Sequence, residues 1–319
     1  MQNSPGRTQI RLSEVNRAAA HEPQSFFERC NDGYEHRIND VCARIIKDTD
    51  ASRIIMLSGP SSSAKTTTSL KLQRRLSEVG IHANTISLDD FFKNRCDLPL
   101  LADGSRDYES PSALDIPLLT QTISDLIFKG RAQLPAFDFK RGERSQKTRS
   151  IALNDDNIAI VEGLHALDTT VTQGIPAGRC LKLYVSVSSD FTDDDGRTVL
   201  SARSVRLIRR TIRDFKYRSS SPENTLDMWD AVCRGEDLYV RPFKRYADIC
   251  LNSIFACEPC LFRAAALRLF SGVPQQSKHY DHAQKLLKAA SAFVPMPAAM
   301  MPGTCVLREF TGGSVYYQS

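Results

Sequence analysis

The stretch IIMLSGPSSSAKTTTSLKL, residues 54–72, constrains the fold of this chain more than any other. An apolar run bounded by glycine reads as a buried strand, and AKTTTSLKLQRRLSEVG reads as a helix stopped at Gly80. Between them Gly59, Ala64, Lys65 and Thr66 occupy the fixed positions of the phosphate-loop pattern G-x-x-x-x-G-K-[ST], with alanine in place of the second glycine. Such a loop offers phosphate oxygens a ring of backbone N–H groups, here those of Ser61, Ser62, Ser63, Ala64 and Thr67, together with a helix N-terminus. In that geometry Lys65 holds the outer phosphates and the Thr66 hydroxyl ligates Mg²⁺. Alanine is a strong helix former and is tolerated at position 64 provided its φ is negative, so a working loop is expected.

The rest of the chain builds an α/β domain around this unit. HANTISL reads as a second strand ending at Asp89 and Asp90, ALDIPLLTQTISDLIFKG as an amphipathic helix closed by Gly130, and NIAIVEG, LKLYVSVS and ADICLNS as further strands. Alternating strands and helices imply a three-layer fold of the P-loop NTPase type, with a mainly parallel central sheet covered on both faces. Ligands in such folds bind beyond the carboxyl ends of the strands. The polar clusters at residues 59–67, Asp89 and Glu162 all fall at such ends. The expected organisation is an N-terminal tail and helical extension over 1–50, a phosphate-loop domain with an arginine-bearing lid over 51–272, and a C-terminal extension over 273–319. Residues 1–22 show no apolar period and read as a loose tail.

Composition narrows the surroundings. With 41% hydrophobic and 25% charged residues in 319, the chain can bury a full core. No apolar run nears the ~18 residues of a membrane span. The first residues lack the apolar middle of a secretory signal and nine scattered cysteines suggest no disulfide framework, so a cytosolic location is expected. Cys257 and Cys260 have a metal or redox spacing, but no second pair completes a ligand set, and they read as packing thiols. The net charge of +5 is concentrated in RTVLSARSVRLIRRTIRDFKYR, which favours a local anion site over a nucleic-acid surface. No nucleic-acid or membrane partner is expected, and a homo-oligomer is left open.

Two further clusters carry chemistry. Glu162 closes the apolar strand NIAIVEG, where an isolated charge is costly unless paired or metal-linked, and so reads as a holder of Mg²⁺ beside Thr66. His165 has no comparable warrant and reads as structural. On the arginine-rich helix, Val205, Ile208, Ile212 and Phe215 share one face at about 100° per residue, and Arg206, Arg209, Arg210 and Arg213 share another. One stripe is expected to be buried while the cations aim at anions. The SSSPENT that follows reads as a polar lid segment closing over the site. The NKxD motif of guanine-reading switches is absent from the sequence.

Taken together and in order, GPSSSAKTT, ISLDDFF, DYESPSALD, LPAFDF, VEGLHAL and VRLIRRTIRD over residues 50–255 resemble the uridine kinase and phosphoribulokinase family of P-loop kinases. The flanking segments resemble the longer bacterial uridine-kinase-like proteins. The resemblance implies an ATP- and Mg²⁺-dependent kinase acting on a hydroxyl of a small-molecule acceptor, with Asp89 accepting the hydroxyl proton. Side chains alternate along an extended segment, so Asp90 points elsewhere. The resemblance further implies Glu109 on ribose hydroxyls, Phe137 and Phe139 flanking a base or sugar, and Arg144 and Arg206 on the substrate side. Arg209, Arg210 and Arg213 fall to the phosphates, with Arg209 and Arg213 catalytic beside Lys65. Core packing is an equal reading for the two phenylalanines. The tyrosine and histidine with which the family reads a pyrimidine become Phe137 and Gly142, so base preference does not carry over. The ribose 5′-hydroxyl of a nucleoside is the expected acceptor. The alternatives are a sugar phosphate met by Lys140, Arg141 and Arg144, and a nucleotide-binding regulatory protein with no acceptor.

Overall fold

The computed structural model describes residues 8–48, 52–100, 104, 106–154, 157–176 and 178–316. The chain opens with β1 (Thr8–Arg11), α1 (Leu12–His21) and α2 (Pro23–Asp48), followed by β2 (Ile54–Ser58), α3 (Lys65–Ser77) and β3 (His82–Ser87). Next come α4 (Ile116–Lys129), β4 (Arg131–Leu134), β5 (Phe137–Asp138), β6 (Glu143–Arg144), β7 (Arg149–Ala152), β8 (Asn157–Glu162) and α5 (Thr169–Thr172). The second half holds β9 (Cys180–Ser186), β10 (Ser189–Thr192), β11 (Thr198–Leu200), α6 (Ala202–Tyr217), α7 (Pro222–Tyr239), β12 (Ile249–Asn252), α8 (Glu258–Ser271), α9 (Tyr280–Ser291) and α10 (Arg308–Thr311).

The central sheet has the order β12-β9-β2-β8-β3 and every pairing in it is parallel. All five residues of β2 are buried, as a strand covered on both faces requires. From β2 the chain crosses over β8 to reach β3, while β9 lies on the other side of β2. The carboxyl end of β2 therefore faces the crevice where such sheets bind ligands. The shorter pairs β4-β7 and β5-β6 lie outside this sheet.

The terminal segments share the core of the sheet. Tyr34, Ile38 and Ile45 of α2 and Val306, Leu307 and Phe310 near the C-terminus are fully buried in one cluster with Ile55 and Leu57 of β2. Phe310 meets Phe262 of α8 edge-on at 6.5 Å, and Tyr34 Oη lies 2.8 Å from Thr68 Oγ1 of α3. Residues 8–21 correct the expectation of a loose tail. Val15 and Ala19 of α1 are buried, and β1 pairs in parallel with β10. The pairing of β1 rests on its backbone, because its four residues TQIR are largely exposed and carry no apolar period. Residues 1–7 lie outside the described residues. The polar SSSPENTLDMWD is also corrected: most of it is helical. Ser221 Oγ accepts from the Asn224 N–H at 3.1 Å, Pro222 starts α7, and Leu226, Trp229 and Val232 are buried. Among the described residues no helix is long and apolar enough to cross a membrane.

A shared core makes a testable demand. Phe310→Ala should lower the unfolding free energy of the whole chain by about 3–5 kcal/mol, read as a shifted midpoint of a single urea transition. A separate early transition confined to the C-terminal helices would contradict it.

Candidate active site

The loop after β2 is shaped by close contacts. A Cβ on Gly59 would lie 1.9 Å from the carbonyl oxygen of Val185 in β9, so a side chain is excluded where the chain leaves the sheet. Ser62 and Ala64 then take left-handed conformations, with φ of 58° and 70°. Left-handed residues within such a loop turn neighbouring amides inward to form an anion-binding concavity. The expectation of a negative φ at Ala64 is thus corrected, and its methyl group carries a conformational cost of about 1–2 kcal/mol. Lys65 Nζ donates to the carbonyl of Pro60 at 3.2 Å. Among the described residues the hydroxyls of Ser62 and Ser63 are buried without hydrogen-bond partners, which suits a loop built to receive an oxygen-rich ligand.

Carboxylates line the crevice opposite the loop. Asp89 follows β3 with its side chain exposed, and the protein around its carboxyl raises its pKa through desolvation, against the pull of Lys65. Asp90 is turned away, accepting from the Phe137 N–H at 3.3 Å. Glu162 ends β8 and is buried, with Thr66 Oγ1 donating to its Oε1 at 3.4 Å. Burial first, and Asp89 and Glu309 after it, push its carboxyl up to about 7, while Lys65 opposes them. Burial depresses the Lys65 pKa against the attraction of Glu162, Asp89 and Glu309. Thr66 and Glu162 fit the donor set of a hard cation.

Glu109 is half-buried and raised by desolvation, within the field of Arg210, Lys65 and Asp89. It borders a cavity of about 420 Å³ shared with Tyr108, Arg210, Met228 and Tyr239, a volume suited to a small-molecule ligand. Gly235 of α7 closes onto it so tightly that a Cβ would stand 2.5 Å from Glu109 Cβ. His165 is buried, its ring centroid 6.4 Å from that of Tyr239.

The arginines of α6 divide differently from the sequence expectation. Arg209 is not brought to the crevice: it is fully buried, donating to Glu258 Oε1 at 2.5 Å and Oε2 at 2.6 Å and to Ser253 O at 2.8 Å. The reason is that its face of α6 turns toward α8, and the Phe310 ring covers the guanidinium at 5.0 Å. Arg206 pairs with Glu236 of α7. Phe215, expected in the buried stripe, is 47% exposed beneath Arg268. Three of these arginines grip the loop from outside. Arg206 donates to Ser61 O at 2.9 Å, Arg209 to Ser62 O at 3.3 Å, and Arg210 to Ser61 Oγ at 2.9 Å. Arg210, Arg213 and Arg218 converge on buried Asp214 at 3.2, 2.9 and 3.5 Å.

Of the remaining residues singled out in the sequence, Arg144 is tied to Asp115 at 3.0 Å and does not reach into the crevice. Phe137 packs between Phe92 and Phe139, with centroids 5.9 and 5.1 Å away, and Phe139 is exposed. At Gly142 the Arg95 guanidinium fills the space, so close that a Cβ would lie 2.7 Å from its Nε. Cys257 and Cys260 are buried at the start of α8. Sequence reasoning missed Asp214, Arg218, Glu236, Glu258 and Glu309. Asp214 and Arg218 stood beside the arginine run and could have been read with it; the others are distant in sequence and gave no signal. Glu309 is the unexpected member, since its Oε2 accepts from Thr67 Oγ1 at 2.5 Å and from Thr67 N–H at 3.3 Å.

Residues 54–256 match the family model described as the Phosphoribulokinase / Uridine kinase family. The uridine kinase of Macrococcus caseolyticus is 29% identical over 197 residues, covering 61% of this chain and 85% of that protein. The uridine kinase of Deinococcus deserti is 26% identical over 209 residues, covering 65% and 91%. Among solved structures, a possible uridine kinase from Bacillus stearothermophilus aligns with a TM-score of 0.45 at 19% identity, over 68% of this chain and 98% of that one.

Two measurements follow from this geometry. Ala64→Gly should raise stability by about 1 kcal/mol by removing left-handed strain from a β-carbon, offset in part by the entropy of glycine, and a lower melting temperature would refute the strain. Glu162 titrates in the native state above its ordinary value, so its ionisation costs stability as pH rises from 4.5 to about 7. In metal-free buffer Glu162→Gln should therefore stabilise the chain at pH 8 by up to about 3 kcal/mol, with the difference vanishing below pH 4.5, as compared in melts at both pH values.

Proposed function

The chain belongs to the phosphoribulokinase / uridine kinase family, and on that premise we propose that it transfers the terminal phosphoryl group of ATP to the ribose 5′-hydroxyl of a nucleoside. The observation that carries this reading is the electrostatic grouping of Lys65, Asp89 and Glu109 around one crevice, with the cavity at Glu109 large enough for an acceptor. Asp89 takes the proton from the acceptor hydroxyl as its oxygen bonds to phosphorus and the bond from phosphorus to the bridging oxygen of ADP breaks. Glu109 holds the ribose hydroxyls by hydrogen bonds, which fixes the attacking oxygen. Lys65 and the loop amides hold the phosphates, and Arg210 and Arg213 offset the charge that spreads over the transferring group. Thr66 and Glu162 would hold a magnesium ion, which draws charge from the phosphate oxygens when bound. Arg209 acts through the loop as a positioning residue, because its guanidinium is committed to Glu258 and Ser253.

The sugar-phosphate alternative asks for free cations at Lys140, Arg141 and Arg144. Arg144 is paired with Asp115 at 3.0 Å, which favours the nucleoside reading.

Incubation with Mg·ATP and a panel of nucleosides and pentose phosphates, with products identified by mass, tests the proposal. A phosphorylated nucleoside is expected; ADP and free phosphate across the whole panel would overturn the proposal and favour a nucleotide-binding protein with no alcohol acceptor. Asp89→Asn should lower turnover by roughly 10²–10⁴-fold while Mg·ATP affinity changes little. Retained turnover would move the base elsewhere.

A further inference from the structure

Glu309 sits outside the family match, yet its carboxylate lies on the phosphate-loop helix. We propose that Glu309 is a resident anion of the nucleotide site: it holds the Thr67 N–H and hydroxyl in place of a phosphate, and nucleotide binds by displacing it. The inference rests on the kinase reading above, since it supposes that this loop receives nucleotide.

Three observations support it. First, α3 begins without a side-chain cap of its own, because Ala64 occupies the capping position. Its N-terminal N–H groups and positive dipole end favour an anion, and Glu309, 242 residues away in sequence, supplies one. Second, the Thr67 N–H belongs to the ring of amides that would meet phosphate, and the Glu309 carboxylate stands 3.3 Å from it. A phosphate arriving at the same amide would meet a carboxylate already in hydrogen-bond contact with it. Third, the carboxylate alone is placed to move. Its backbone belongs to α10, which is anchored by fully buried Leu307 and Phe310, by Arg308 Nε on Met301 O at 3.0 Å, and by the Lys216 ammonium on Thr311 O. Glu309 itself is half-buried and ends a flexible side chain. Rotation about its own torsions frees Thr67 while the segment stays docked. Thr67 follows the Lys65–Thr66 pair that addresses the transferring end, so the competition falls on a phosphate nearer the nucleoside. Glu309 thereby sets nucleotide affinity without taking part in the transfer.

The test is calorimetric titration of Mg·ADP into the full-length chain and into Glu309→Gln, with Glu309→Ala as a second variant and ligand-free melting temperatures recorded for all three. Displacement predicts that both variants bind Mg·ADP roughly tenfold more tightly than the parent, while their ligand-free melting temperatures fall. A carboxylate that serves only as a structural cap would lower the melting temperature and leave affinity unchanged, which overturns the proposal while the kinase reading stands. Weaker binding by the variants also overturns it, by making Glu309 a contact of the bound nucleotide. If neither parent nor variants bind Mg·ADP, the kinase reading fails and takes this proposal with it.

Discussion

A guanidinium shut away from water holds the site in register. Arg209 joins the loop carbonyl at Ser62, the end of the β12 connection at Ser253, and the first residue of α8 at Glu258. Burying both charges costs several kcal/mol per ion, and only near-complete hydrogen bonding repays it. The return is geometric. Three elements that meet at the carboxyl edge of the sheet are fixed to one rigid planar group, and the loop amides acquire a defined direction before any ligand arrives. Arg206 and Arg210 extend the same grip, so α6 serves first as a scaffold for the loop and second as a source of charge.

The electrostatics of the crevice follow from that scaffold. Lys65 faces Glu162, Asp89 and Glu309, so the ligand-free site holds more acid than base at its centre. The balancing arginines stand back, three of them sharing the one carboxylate of Asp214. Such an arrangement keeps cations concentrated near the loop at a lower repulsive cost.

The parallel sheet and its loop were legible in the sequence because they depend on local signals: an apolar run, glycine, lysine and a helix in fixed order. The places of Asp89 and Glu162 beyond or at the carboxyl ends of β3 and β8 were legible for a related reason, because the strands themselves were. Other features depend on tertiary context. The left-handed φ of Ala64 is imposed by the turn that the loop must make, and composition favours the opposite. Arg209 and Arg210 are adjacent in a helix, and only the packing of α8 and the C-terminal turn determines that one of them is dry. The strand at residues 8–11 shows no period because its backbone does the pairing. Glu309 was invisible because sequence separation of 242 residues carries no pairwise signal in a single chain.

The tight fit of Gly235 against Glu109 ties α7 to the cavity beside that carboxylate. The bare α-carbon lets α7 lean directly on the Glu109 side chain where it borders that cavity. Any substituent there would push that carboxylate aside with its charge intact. A single methyl group on α7 would therefore redraw the shape of that cavity with no change to any residue of the loop after β2.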